Sequence, residues 1–186
     1  MLVAERTGRK RRTSVSRCPG APHTKTLSPT GIHMKSIELK VPPPAVAALA
    51  ALAMWGISSV APLLQVPTLI RVAVAIAIAL VGGVVSAAGF VSFRRARTTV
   101  NPMKPEAASS LVSSGIYRVT RNPMYVGLSF ILIAWAVFLA SAWALLGPVA
   151  FVLFIDRFQI TPEEQALSAL FGSEYAAYKS RVRRWL

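Results

Sequence analysis

Residues 122–155 read NPMYVGLSFILIAWAVFLASAWALLGPVAFVLFI, 34 positions without one charged side chain. As a single helix this run would extend about 51 Å at 1.5 Å per residue, well beyond the ~30 Å hydrocarbon core of a bilayer. Two helices joined by a turn near Ser141 fit it better, over about 123–140 and 143–160, with Gly147-Pro148 interrupting the second in its first half. Two further uncharged runs precede it, 20 residues over 45–64 and 22 over 72–93. Val and Ile alternate with Ala over 72–80, which locally mimics a strand. In lipid, an apolar stretch this long must satisfy its own backbone, so helix is the expectation. Ala75, Ala79 and Gly83, spaced four apart, offer a small-residue face for close helix packing. The sequence thus predicts an all-α membrane protein with about four transmembrane helices. A last hairpin that only enters one leaflet is the competing arrangement.

Composition agrees. Of 186 residues 54% are hydrophobic and 15% charged, against roughly 25% charged in soluble domains. The excess of 21 Lys+Arg over 7 Asp+Glu gives +14. The bases lie between apolar runs and not on a soluble fold, so nucleic acid is not an expected partner. A single cysteine excludes a disulfide framework and a multi-Cys zinc site.

Residues 1–33 carry seven Lys or Arg and one acid without an apolar run. They read as a disordered basic extension and not a secretory signal, with Met34 the expected natural start and 34–186 the membrane domain. Both histidines and Cys18 fall in the extension. The membrane domain therefore lacks a Ser-His or Cys-His nucleophile pair and any His/Cys-ligated metal. Thirteen of its Lys and Arg flank the spans on one side and only Arg71 lies on the other. By that count both termini and the 94–122 loop face the cytoplasm, and chemistry is expected at that face, on a lipid-like or membrane-tethered substrate.

Two polar segments stand at this boundary. The first, 111–127, is LVSSGIYRVTRNPMYVG. Asn122 is placed as N-cap with Pro123 at the first helical position, so one reading is a loop entering the third span, with Arg118 and Arg121 as interface anchors. It also gathers Tyr117 and Tyr125 at a helix N-terminus, a ready site for a ligand carboxylate. In the second, Thr161 and Glu164 form a capping box with Pro162 at the first helical position. Leu167, Phe171, Tyr175, Tyr178 and Val182 then recur every three to four residues. That pattern predicts a C-terminal amphipathic cytoplasmic helix whose basic tail meets membrane lipids. The capping box accounts for Glu164 but not for Glu163. Asp156, at the end of a membrane helix, is either functional or a simple terminator.

Taken in order, GIYRVTRNPMYVG at 115–127, a hydrophobic hairpin, then PEE, FGSEY and a terminal VRRW resemble the isoprenylcysteine carboxyl methyltransferase family, membrane enzymes related to phospholipid N-methyltransferases. The resemblance covers roughly 101–186. It implies S-adenosylmethionine as co-substrate, with the Arg-His-Pro-x-Tyr motif falling on Arg121, Asn122, Pro123, Met124 and Tyr125. Asn replaces the His, which removes a titrating group but keeps hydrogen-bonding capacity. Cofactor contacts fall on Leu111, Val112 and Tyr117, and the cofactor-binding carboxylate on Glu163 with Glu164 beside it. The substrate-side Arg aligns with Gln159, and Arg157 is the nearest Arg.

Methyl transfer suits such a chain. The methyl of a sulfonium is already activated, so the protein chiefly aligns donor and nucleophile. Tyr117 and Tyr125 are candidates for cation–π contact with the sulfonium, or alternatively interfacial anchors. The implied reaction is carboxyl O-methylation of a prenylcysteine-like group. The alternatives are a phospholipid amine N-methyltransferase and a non-catalytic membrane adaptor.

Overall fold

The computed structural model describes residues 41–62, 64–96 and 111–186, all helix, turn and loop. The expectations for residues 1–33 and for Met34 lie outside the described residues. Helix α1 is Pro43–Val60, α2 Thr68–Ala96, α3 Pro123–Leu139 and α4 Leu146–Ile155. A π-helical turn, Asp156–Ile160, then joins α4 to α5, Thr161–Arg181. Short 3-10 turns precede α3, at Gly115–Arg118, and α4, at Ala142–Leu145. Three stretches are long and apolar enough to cross a bilayer, Pro43–Val60, Thr68–Arg95 and Ala142–Arg181, while α3 is a shorter apolar helix of 17 residues. Outward-facing Leu80 and Val84 are 64% and 68% exposed. That apolar belt suits lipid and not water.

The turn between α3 and α4 lies at Ala140 and Ser141. Ala140 adopts a left-handed conformation, φ 51°, and Ser141 follows. The Ala140 carbonyl accepts the Leu64 N–H at 2.7 Å, tying the α1–α2 connection to the α3–α4 turn at one end of the bundle. At the other end the Gln159 amide donates to the Val41 carbonyl at 2.6 Å.

Three local expectations are corrected. Gly147-Pro148 does not interrupt α4. Pro148 stands in its first turn, where its missing N–H costs nothing, and Gly147 leaves the space that Met54 fills. The small-residue face runs through Ala75, Gly82, Ser86 and Gly89, whereas Gly83 faces open space. A Cβ on Gly82 would come within 2.7 Å of the Gly127 carbonyl oxygen, so α2 and α3 approach backbone to backbone. Steps of three and four residues track 3.6 per turn better than a uniform four, which is why the contact passes from Ala79 to Gly82.

The third correction concerns α5. No helix starts at Thr161, because α4, the π-turn and α5 run on as one body, Ala142–Arg181. Thr161 makes no cap, and its hydroxyl donates back to the Asp156 carbonyl at 2.7 Å. The capping box fails because the preceding residues are already helical. Further on, Gly172 at φ 49° breaks α5 into two segments. The apolar positions after the break pack as expected, with Tyr175, Tyr178 and Val182 buried against Leu111, Leu167 and Phe171.

Candidate active site

The end of the bundle opposite the hairpin turn brings together the start of α3, the π-turn with the start of α5, and the last residues of the chain. Asn122 occupies the N-cap position of α3 without a side-chain cap bond. Its Nδ2 donates instead to the Arg184 carbonyl at 2.9 Å, and the Thr120 hydroxyl donates to the same oxygen at 3.3 Å. Thr120 and Arg183 form an isolated parallel bridge, and the Arg121 N–H donates to the Arg183 carbonyl at 3.0 Å. The tail 183–185 thereby becomes a floor under the entry to α3. Pro123 and Met124 pack on Gly89 of α2, where a Cβ would meet each at 3.1 Å.

Tyr125 is buried, and its hydroxyl donates to Glu163 Oε2 at 3.2 Å. Tyr117 is also buried, edge-on to Phe93 with ring centroids 5.3 Å apart, and its carbonyl accepts the Tyr178 hydroxyl at 2.8 Å. Burial first, then the nearby Glu163 charge, raises the Tyr117 pKa. Glu163 itself keeps part of its surface open, yet the surrounding protein desolvates its carboxylate. That desolvation pushes its carboxyl up to about 7, against the lowering effect of the Tyr125 bond, with the neighbouring Glu164 charge adding to the rise.

The two adjacent glutamates have different surroundings. Glu164 is buried and meets three cations, Arg121 at 3.1 Å, Arg184 at 2.6 Å and Lys179 at 3.8 Å. Glu163 pairs with no cation among the described residues. Asp156 is held by Arg184 at 3.0 Å and accepts the Trp185 indole N–H at 3.3 Å. Its part in this structure is thus an ion pair that closes the tail onto the π-turn.

Of the sequence-singled residues, Tyr117, Tyr125 and Glu163 come together, with Asn122 and Pro123 at the mouth of α3. Val112 is buried, and Leu111 packs against Tyr175, Tyr178 and Val182. Glu164 belongs to the ion-pair cluster. Arg157 is exposed, stacked on Phe158 at 6.0 Å, and joins no ion pair among the described residues. Gln159 is buried, with its Oε1 unpartnered among the described residues. Arg184 and Trp185 were not legible as site residues. The signals available were the terminal VRRW itself and the need of buried acids in so basic a chain for partners. Below the site, Ala47, Ala51, Ala75, Ala79, Ile131 and Trp135 help line an apolar cavity of about 700 Å³ among α1, α2 and α3.

This geometry belongs to an integral membrane protein that gathers aromatic rings and one cation-free carboxylate at the end of its apolar helices. The phospholipid methyltransferase family matches residues 70–174, more than half of the 186, and the chain belongs to it, within the group that includes the isoprenylcysteine carboxyl methyltransferase family. A Haemophilus influenzae protein named only as uncharacterized is 49% identical over 63 residues, 34% of this chain and the whole of that protein. Protein-S-isoprenylcysteine O-methyltransferase of Saccharomyces cerevisiae is 33% identical over 87 residues, 42% of this chain and 33% of that protein. A probable protein-S-isoprenylcysteine O-methyltransferase of Oryza sativa subsp. indica is 31% identical over 116 residues, 61% of this chain and 59% of that protein. The chain thus spans between a third and about three-fifths of these two enzymes' lengths.

Proposed function

We propose that the chain transfers a methyl group from S-adenosylmethionine to a lipophilic or membrane-tethered acceptor at the basic, cytoplasmic end of the bundle. The observation that carries this reading is Glu163, a desolvated carboxylate bonded to one phenol and to no cation among the described residues. Such a group is completed by a cationic ligand. S-adenosylmethionine supplies an activated methyl on a sulfonium, together with an ammonium and a carboxylate. Glu163 holds the ammonium, and Tyr125 fixes the carboxylate oxygen that receives it. Tyr117 and Tyr125 offer ring faces to the sulfonium. The free N–H groups at the start of α3 take the ligand carboxylate, with Asn122, Pro123 and Met124 forming that entry. Leu111 and Val112 close the apolar side.

For the acceptor, the favoured class is the carboxylate of a prenylcysteine-like group. It is ionised at pH 7 and needs no base, and it matches the activity for which the yeast and rice relatives are named. The apolar cavity supports a lipophilic tail. Its nearest α3 residue, Ile131, lies six positions past Tyr125, about 9 Å along the helix. A second reading, a phospholipid amine acceptor, is favoured by Gln159, whose buried and unpartnered Oε1 suits an N–H donor better than a carboxylate.

Calorimetry of S-adenosylmethionine binding to the full chain in detergent tests the reading, with Glu163→Gln alongside. Saturable binding that the variant loses is expected. A folded wild-type protein that does not bind overturns it. Methyl transfer to an S-farnesylcysteine derivative against phosphatidylethanolamine vesicles then separates the two acceptors.

A further inference from the structure

We propose that Arg184 is the positioning residue of this site: by bridging Asp156 and Glu164 across the π-turn, it holds Glu163 in the register that faces Tyr125. The cofactor part of this inference rests on the function proposed above; the register part stands on the fold alone.

The guanidinium makes four hydrogen bonds. Nη1 donates to both Asp156 oxygens, at 3.0 and 3.1 Å, while Nε and Nη2 donate to the two Glu164 oxygens at 3.2 and 2.6 Å. The two-point contact with Glu164 is what a planar guanidinium makes and an ammonium cannot, and it leaves Nη1 free to span the two Asp156 oxygens. The two acids are eight residues apart. In an unbroken α-helix, eight steps of about 100° leave them about 80° apart around the axis. The π-turn at Asp156–Ile160 absorbs one extra residue, so the pair behaves like i and i+7, within about 20° of a common face. One side chain covers both acids only because the π-turn is present. Conversely, the bridge opposes relaxation of that turn to α-helix.

Relaxation would rotate everything after it by about one residue, about 100°. Glu163 would turn away from the Tyr125 hydroxyl it now accepts. Glu164, held by Arg184 together with Arg121 and Lys179, is the very next residue, so its pinning sets the direction of Glu163. The tail itself is anchored independently of the Arg184 side chain. Its backbone carbonyls accept from Arg121, Asn122 and Thr120, and the Trp185 ring packs against the main core. Truncating Arg184 thus removes the bridge and leaves the tail in place.

The test measures S-adenosylmethionine affinity and, without ligand, amide hydrogen exchange over 156–164, in the full-length wild type and in Arg184→Ala, Arg184→Lys and Arg181→Ala. Arg184→Ala is expected to weaken binding at least about tenfold and to speed exchange in that segment. Arg184→Lys, which reaches one acid and not both, should recover part of each. Arg181, exposed and bonded among the described residues only to the Ala177 carbonyl, should change neither. Asp156→Asn combined with Arg184→Ala should lose no more than Arg184→Ala alone, because both act through one bridge. Unchanged exchange in Arg184→Ala overturns the register argument, and unchanged affinity beside a binding wild type overturns the positioning role. A wild type that fails to bind, with exchange altered as expected, overturns the cofactor reading and leaves the clamp as architecture. If Arg184→Ala does not fold, the Arg184→Lys and Asp156→Asn proteins carry the same comparison.

Discussion

Glu163 accepts a hydrogen bond from the Tyr125 hydroxyl at 3.2 Å, across 38 residues of sequence. That bond joins the motif that opens α3 to the acid pair that opens α5, and it is the only polar tie of Glu163 to another side chain among the described residues. Its neighbour Glu164 is fully engaged with cations. Glu164 is thus part of the architecture, while Glu163 is the carboxylate that the proposed function assigns to the ligand.

The two glutamates should therefore respond oppositely to neutralisation. Glu164→Gln leaves Arg121 and Arg184 facing an uncharged amide and is expected to destabilise the fold by about 1–3 kcal/mol, less than for a fully enclosed pair because Arg184 is partly exposed. Glu163→Gln is expected to stabilise the ligand-free protein at pH 8 and to do so by much less at pH 5. The sign follows from the folded carboxyl titrating near 7, above its unfolded value of about 4.3. Stability is then full below that value and is lost as pH rises through 7. Thermal melts of both variants at pH 5 and 8 check this.

On the proposed function, binding of the cationic cofactor requires Glu163 ionised. S-adenosylmethionine affinity is expected to rise between pH 6 and 8, with about one proton released per ligand bound near pH 6.5. Calorimetry in two buffers of different ionisation enthalpy reads that proton directly.

Tyr125→Phe keeps the ring and removes the hydroxyl. The lost hydrogen bond favoured the ionised carboxylate, so the midpoint of the pH dependence should move upward and affinity at pH 7 should fall several-fold. An unchanged midpoint would mean that the hydroxyl does not act on Glu163.

The close approach of α2 to α3 predicts that Gly82→Ala, whose Cβ would lie 2.7 Å from the Gly127 carbonyl oxygen and 2.9 Å from Phe130 Cβ, destabilises by about 1–3 kcal/mol. Gly83→Ala, one position on and facing open space, should be neutral or slightly favourable. Reversed effects would place the helix contact on the wrong face.

Much of the architecture was legible because bilayer thickness and backbone hydrogen bonding leave few choices for long uncharged runs. The runs at 45–64 and 72–93 became α1 and α2, and the 34-residue run folded back at Ala140. The capping box was misread because Thr161 and Glu164 have the right spacing, while a cap also needs a non-helical residue before it. Only the structure shows Ile160 to be helical. Gly83 was chosen over Gly82 because a rule of four drifts off a helix with 3.6 residues per turn.

From sequence alone came the membrane class, the hairpin and the residue types that meet at the basic end of the bundle, since these depend on length, polarity and local order. The tertiary structure alone decided which of two adjacent glutamates is paired. That choice depends on a π-turn that shifts the register and on Arg184 returning from 20 residues beyond Glu164. Local spacing carries no record of either, because an ion pair is set by where the chain returns in space, not by how far apart its partners stand in sequence.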